Sequence, residues 1–140
     1  MHVKIANSDE ELHKIAPVLL QLRPAFNEES LISRIKSQAD IGYRIAYIEI
    51  DNQAVCVAGF VSFEKLAWGK GIYIDDLVTD ENHRSSGAGK AMLDWFKRYA
   101  RENGFAEIHL DSGAHRKDAH RFYAREQFDN TGFHFAFTKI

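Results

Sequence analysis

The chain predicts one α/β domain spanning residues 1–140. Three observations carry that expectation. Helix-spaced apolar residues open the sequence, β-branched and aromatic runs fill its middle, and one such run passes through a glycine turn straight into a long amphipathic segment. No repeat, low-complexity tract or linker interrupts this order, and a chain of 140 residues suits one hydrophobic core.

Ser8 and Glu11 have capping-box spacing, and Leu12, Ile15, Ala16, Leu19 and Leu22 recur behind them at helical intervals. A helix over 9–22 follows, with a kink or break expected at Pro17, which lacks a backbone donor. A short strand at 3–6 fits ahead of it. Asn27 is placed to cap a second helix with Leu31, Ile32 and Ile35 as its stripe, ending near Gly42. Segments 43–50 and 54–63 read as a hairpin around the polar Asp51-Asn52 turn, and 72–79 as a further strand. From Ala88, the spacing of Met92, Trp95, Phe96, Tyr99 and Ala100 predicts a long amphipathic helix that stops at Asn103-Gly104. Segment 105–111 reads as a strand, 118–126 as a short helix and 133–138 as a closing aromatic strand.

Composition excludes several functions. The chain is 45% apolar and 27% charged, with a net charge of −2 spread over both signs, so no overall field gathers nucleic acid or anionic lipid. No apolar run approaches the roughly 18 residues that cross a bilayer, so a soluble cytoplasmic protein is expected. The single cysteine, Cys56, lies in an apolar run and reads as a small buried hydrophobe. The histidines have no metal-site spacing, so no metal is expected.

Residues 84–90 read RSSGAGK, from Arg84 through Ser85, Ser86, Gly87, Ala88 and Gly89 to Lys90. They join a strand to a helix start, where unpartnered amides and the helix dipole attract phosphate. Gly87 and Gly89 keep side chains out of the way, and Arg84 and Lys90 add positive charge. A nucleotide P-loop is excluded, because Arg84 stands where its first glycine belongs and Ala91 where its Ser or Thr belongs. A dinucleotide fingerprint is excluded too, because no glycine follows at the required spacing.

Arg84, Gly87 and Gly89 match the motif arginine or glutamine, two residues, glycine, one residue, glycine, and Asp76-Leu77-Val78 precede it as an acidic residue, Leu and Val. In these residues and in its order of elements, the chain resembles the GCN5-related N-acetyltransferase (GNAT) superfamily. That resemblance implies a central mixed sheet of about six to seven strands with two N-terminal helices, a long cofactor-binding helix and a short C-terminal helix. It implies acetyl-CoA as co-substrate, with the backbone of Leu77, Val78 and Thr79 pairing with the pantetheine arm and residues 84–90 taking the pyrophosphate. Segment 118–128, DAHRFYAREQF, is similar to the family's Phe-Tyr motif, which places Tyr123 as general acid to the departing thiolate. Phe122 and Tyr123 also suit plain helix packing. The chain departs from the family pattern at Arg116 and Gln127.

Alternation along a strand allows only one of Asp75 and Asp76 to face the acceptor. Asp76 matches the family's acidic position and is assigned as base, water relay or ammonium holder; a solvated strand end would carry the same pair. Asp75 and Ser112 are further candidates to line the cleft. The stretch 117–139 resembles aminoalkylphosphonate acetyltransferases, which implies a small primary amine bearing an anion, held by Arg23 and Arg44 unless both are ordinary surface arginines. A non-catalytic acyl-CoA-binding module and a peptide acetyltransferase stay open as alternatives. The aromatic segment 133–137 suits a homodimer contact.

Overall fold

A computed structural model describes residues 1–140, which divide into two compact units, Met1–Leu110 and Asp111–Ile140. The first begins with β1 (Val3–Ile5) and α1 (Asp9–Leu22). Ser8 Oγ accepts the Glu11 amide at 3.2 Å, the forward half of the expected box, while the Glu11 carboxylate reaches back one residue further than the box requires, accepting the Asn7 amide at 3.1 Å. The break expected at Pro17 does not occur, since α1 is continuous. A mid-helix proline costs about 3 kcal/mol, but Val18 and Leu19 beyond it are both buried, and full burial stabilises by about 1.5–3 kcal/mol each.

Asn27 caps α2 (Glu28–Ala39) reciprocally with Ser30, at 2.8 and 3.0 Å. The hairpin of β2 (Arg44–Ile50) and β3 (Gln53–Lys65) turns on Asp51 and Asn52, both left-handed (φ 51° and 63°), the geometry that matches strand twist. β4 (Gly69–Thr79) follows, then a 3-10 turn (Glu81–His83), α3 (Ala88–Glu102) and β5 (Glu107–Leu110).

The strands form a 5-stranded sheet in sequence order, antiparallel except for the parallel β4–β5 pair. Ile15, Leu19, Leu31, Ile35, Tyr43, Tyr47 and Val57 make the core on the face toward α1 and α2. α3 covers the opposite face through buried Met92, Leu93 and Phe96, with the Phe96 ring 5.0 Å from Phe60.

The second unit contains α4 (Lys117–Arg125). The closing strand expected at 133–138 is not formed, and the sheet has 5 strands rather than six to seven. Phe133, Phe135 and Phe137 alternate as a half-buried strand would, yet they are 87%, 90% and 74% exposed. Alternation supplies a face to bury; only ladder partners make a strand, and 128–140 has none. No helix is long and apolar enough to cross a membrane.

Candidate active site

β4 is the strand on which the site is built. Its register against β3 slips between Gly59↔Asp76 and Phe60↔Ile74, which makes Asp75 an inserted bulge residue. Its pairing with β5 ends at Ile74↔Leu110, so from Asp75 onward, through Leu77, Val78 and Thr79, that edge has no β5 partner. The other edge stays paired, with Leu77, Val78 and Thr79 opposite Ala58, Val57 and Cys56. An extended ligand can therefore add to the open edge by main-chain hydrogen bonds.

The strand then enters the glycine turn through a locked corner. Asp80 accepts from the Asn82 amide at 3.1 Å, from His83 Nδ1 at 2.9 Å and from Gln21 Nε2 at 2.7 Å, while the Glu81 amide donates to Gln21 Oε1. These contacts, His83 foremost, lower the Asp80 carboxyl pKa below its usual range. Ser85 (φ 64°) and Gly87 (φ 87°) are left-handed, and Gly87 is the N-cap of α3 with no side-chain cap bond. Gly87 thus brings no side-chain oxygen to the start of α3, and no acidic residue stands in its first turn. A Cβ built on Gly87 meets nothing within 4 Å. A diphosphate suits this start: no side chain of Gly87 caps it, no carboxylate stands in its first turn and the space at Gly87 is open. Lys90 reaches back to Asp94 at 3.3 Å, so part of its expected charge is spent on α3 itself.

A cavity of about 240 Å³ lies among α1, the loop after it, α2, Tyr43 and β4. Asp75 and Asp76 both line it, correcting the expectation that only one could. The physical reason is the bulge, which breaks strict alternation at that point. Asp76, 15% exposed, is held at both oxygens: Arg23 Nε donates to Oδ1 at 2.9 Å and Tyr43 Oη to Oδ2 at 2.7 Å. Arg23 also donates to the Asp75 carbonyl at 3.2 Å. Burial, reinforced by Asp76, raises the Tyr43 pKa well above the ordinary tyrosine value, so its hydroxyl stays a donor at any working pH.

The two arginines expected at the acceptor are separated. Arg23 lines the cavity but is committed to Asp76, whereas Arg44 lies toward α3, donating to Tyr99 Oη at 2.8 Å and lying over the Phe60 ring at 5.8 Å. Arg34, which the sequence reading missed, lines the cavity with its guanidinium 5.5 Å above the Phe26 ring. Tyr43 and Gly59 were also missed. Arg34 sits at helical spacing from Gln38, another lining residue, which is the signal that marked its face. In the second unit, Tyr123 lies on α4 with Phe122 and Phe128 rings 5.3 and 6.0 Å away, and Ser112 Oγ is buried with no hydrogen-bond partner. His120 is engaged with the Gly113 carbonyl at 2.7 Å. Cys56 is fully buried, and burial pushes its thiol up to about 11, which removes it as a nucleophile. No group of side chains could hold a metal ion.

The profile of the Acetyltransferase (GNAT) family matches residues 11–128, from α1 to beyond α4. The chain belongs to this family. It is 32% identical over 134 residues to the uncharacterized N-acetyltransferase YhdJ of Bacillus subtilis, covering 95% of this chain and 92% of that protein. It is 38% identical over 66 residues to the aminoalkylphosphonate N-acetyltransferase of Salmonella typhimurium, 47% of this chain and 42% of that protein. Its fold matches the ribosomal-protein-alanine N-acetyltransferase of Brucella melitensis biovar Abortus with a TM-score of 0.84 over 99% of both chains, at 16% identity, a likeness of fold alone. The chain is a GNAT N-acetyltransferase, and enzymes of this family generally use acetyl-CoA.

Proposed function

We propose that this GNAT member moves acetyl from acetyl-CoA to a small primary amine. One observation carries the reading: β4 opens its edge at Asp75 and then runs, through a corner fixed by Asp80, into an uncapped helix start with a left-handed glycine. The main chain of Leu77, Val78 and Thr79 receives the pantetheine arm, and the amides and charges of Arg84, Ser85, Ser86, Gly87, Ala88, Gly89 and Lys90 receive the pyrophosphate.

Acetyl-CoA supplies the thioester, whose carbonyl carbon the neutral amine attacks while the carbon–sulfur bond breaks and the electron pair leaves on sulfur. Tyr123 delivers the proton that the departing thiolate needs, and the proton shed by the amine passes to water at the Asp75–Asp76 end of the cavity. Both Asp76 oxygens already accept bonds, which suits holding an ammonium or ordering that water. Support for a small acceptor comes from the cavity, which at about 240 Å³ falls below the roughly 300–1,000 Å³ of drug-sized sites. Of the cavity's arginines, Arg34 is the one with no carboxylate partner, so it replaces Arg44 as the contact for an anionic group on the amine.

Calorimetric titration with coenzyme A, followed by a primary-amine screen read by thiol release, tests this function. Binding heat in the wild type, lost in Gly87→Val, together with thiol release on at least one amine, is the expected result. No heat and no thiol release would dismiss it.

A further inference from the structure

Tyr43 immediately precedes β2, which neighbours β3, and reaches across β3 to Asp76 on β4. The path is open only because residue 59, the register partner of Asp76, is glycine: a Cβ there would lie 1.7 Å from Tyr43 Oη and 2.3 Å from Cζ. We propose that Tyr43 is a positioning residue for acetyl transfer, fixing the Asp76 carboxylate across Gly59 so that the acceptor cavity presents its carboxylates in one geometry. This inference rests on the proposed acetyl transfer, and its test separates the two.

Three features argue for positioning rather than plain packing. A ring packed for area alone needs no hydroxyl, and this hydroxyl ends on the carboxylate that lines the cavity. Asp76 follows a bulge, where a strand is least constrained by its ladder, so its side chain needs outside support; Tyr43 and Arg23 give one bond to each oxygen. The donor cannot be lost by ionisation at working pH, because burial and Asp76 itself keep the phenol protonated. A permanent donor on one side and a cation on the other leave the carboxylate one favoured orientation.

The chain supplies its own control. Tyr47 lies in the same core cluster and donates its hydroxyl to Glu11 Oε2, also at 2.7 Å, but Tyr47 and Glu11 are not among the residues lining the cavity. Tyr43→Phe and Tyr47→Phe therefore remove comparable bonds, and a purely structural role predicts the same kinetic outcome for both.

The experiment measures KM and kcat for both substrates in wild type, Tyr43→Phe and Tyr47→Phe, using the best amine of the thiol-release screen. The same amine, or ethylamine if none turns over, is also titrated into protein saturated with coenzyme A. The expected result is an acceptor KM raised about tenfold or more in Tyr43→Phe, with weaker amine binding, an unchanged KM for acetyl-CoA and near-normal acceptor values in Tyr47→Phe. Equal acceptor KM and binding in all three proteins, or equal losses in the two variants, would overturn the positioning role. Absence of turnover in the wild type while Tyr43→Phe still weakens amine binding would instead remove the acetyl-transfer reading and leave the positioning intact.

Discussion

Replacing Gly59 by alanine tests the geometry around Asp76 more severely than any change to the acids themselves. The added methyl would stand 1.7, 2.3 and 2.7 Å from Oη, Cζ and Cε1 of Tyr43. Tyr43 is 5% exposed and packed in the core with Leu31 and Ile35, so its ring has no inexpensive exit. Overpacking of this kind costs about 1–3 kcal/mol, and a lost hydrogen bond to a charged group costs about 1.5–3 kcal/mol more. A destabilisation of about 2.5–6 kcal/mol is therefore expected, a large part of the roughly 5–15 kcal/mol that holds a domain together. Urea unfolding of wild type, Gly59→Ala, Tyr43→Ala and the double variant gives the measurement, with a constant slope as the condition for comparing midpoints. In the Tyr43→Ala background the new methyl enters vacated space, so Gly59→Ala should there cost little, and the cycle should give a coupling of at least about 2 kcal/mol. If the two changes add within about 0.5 kcal/mol, the close approach of residue 59 to Tyr43 is not what glycine is there to allow.

Three further outcomes follow from the same geometry. Tyr123→Phe should lower kcat by about 10²-fold or more while the calorimetric affinity for coenzyme A stays within twofold; equal turnover would remove the phenol as acid. Arg34→Gln should raise the KM for an aminoalkyl phosphonate at least about tenfold and leave an uncharged alkylamine unaffected, whereas a uniform change would show no anion contact. The Glu49 carboxyl, bonded to Lys14 and Lys4, is pulled from 4.5 down to about 2. A depressed acid stabilises the fold above its unfolded pKa and loses that contribution as pH falls through its folded one. The melting-temperature gap between wild type and Glu49→Gln should accordingly be full above about pH 5 and close toward pH 2; a constant gap would contradict the assigned ion pairs.

How far the sequence could be read depended on whether a residue's role is local. The helix starts at Ser8 and Asn27 and the glycine turn are decided within a few residues of chain, and both α1 and α3 begin where the spacing placed them. The 3-10 corner at Asp80 is equally local in its Asn82 bond, but its tie to Gln21 spans the fold and left no periodic trace. Tyr43 and Gly59 were legible only as strand residues, because what matters about them is a close approach between strands. Arg44 was misplaced for a related reason. Its position on β2 was read correctly, but its face was not, and it pairs with Phe60 on the side that α3 covers. The aromatic segment 133–138 failed as a strand because periodicity records which face would be buried, and carries nothing about which backbone completes the ladder.

The bulge at Asp75 explains why strand opening and acid placement occur together. Ile74 is opposite Phe60, whose ring meets Phe96 of α3, whereas Val78 is opposite Val57 and packs with the core of α1 and α2. Residues four apart in an unbroken strand share a face, so these two can lie on opposite faces only if one residue between them is unpaired. Asp75 is that residue. The same insertion ends the β5 ladder at Ile74, frees the edge that follows, and turns Asp76 onto the α1 face, where Arg23 and Tyr43 hold it. Were Asp75 paired with Gly59 instead of inserted, Asp76 would move opposite Ala58 and onto the α3 side, among Phe60 and Phe96. An ionised carboxylate there would have no partner, at a cost that the apolar packing around it could not offset. Loss of the acceptor site and loss of stability would then arrive as one event, unlike the side-chain change Asp75→Ala, which leaves the register of β4 intact.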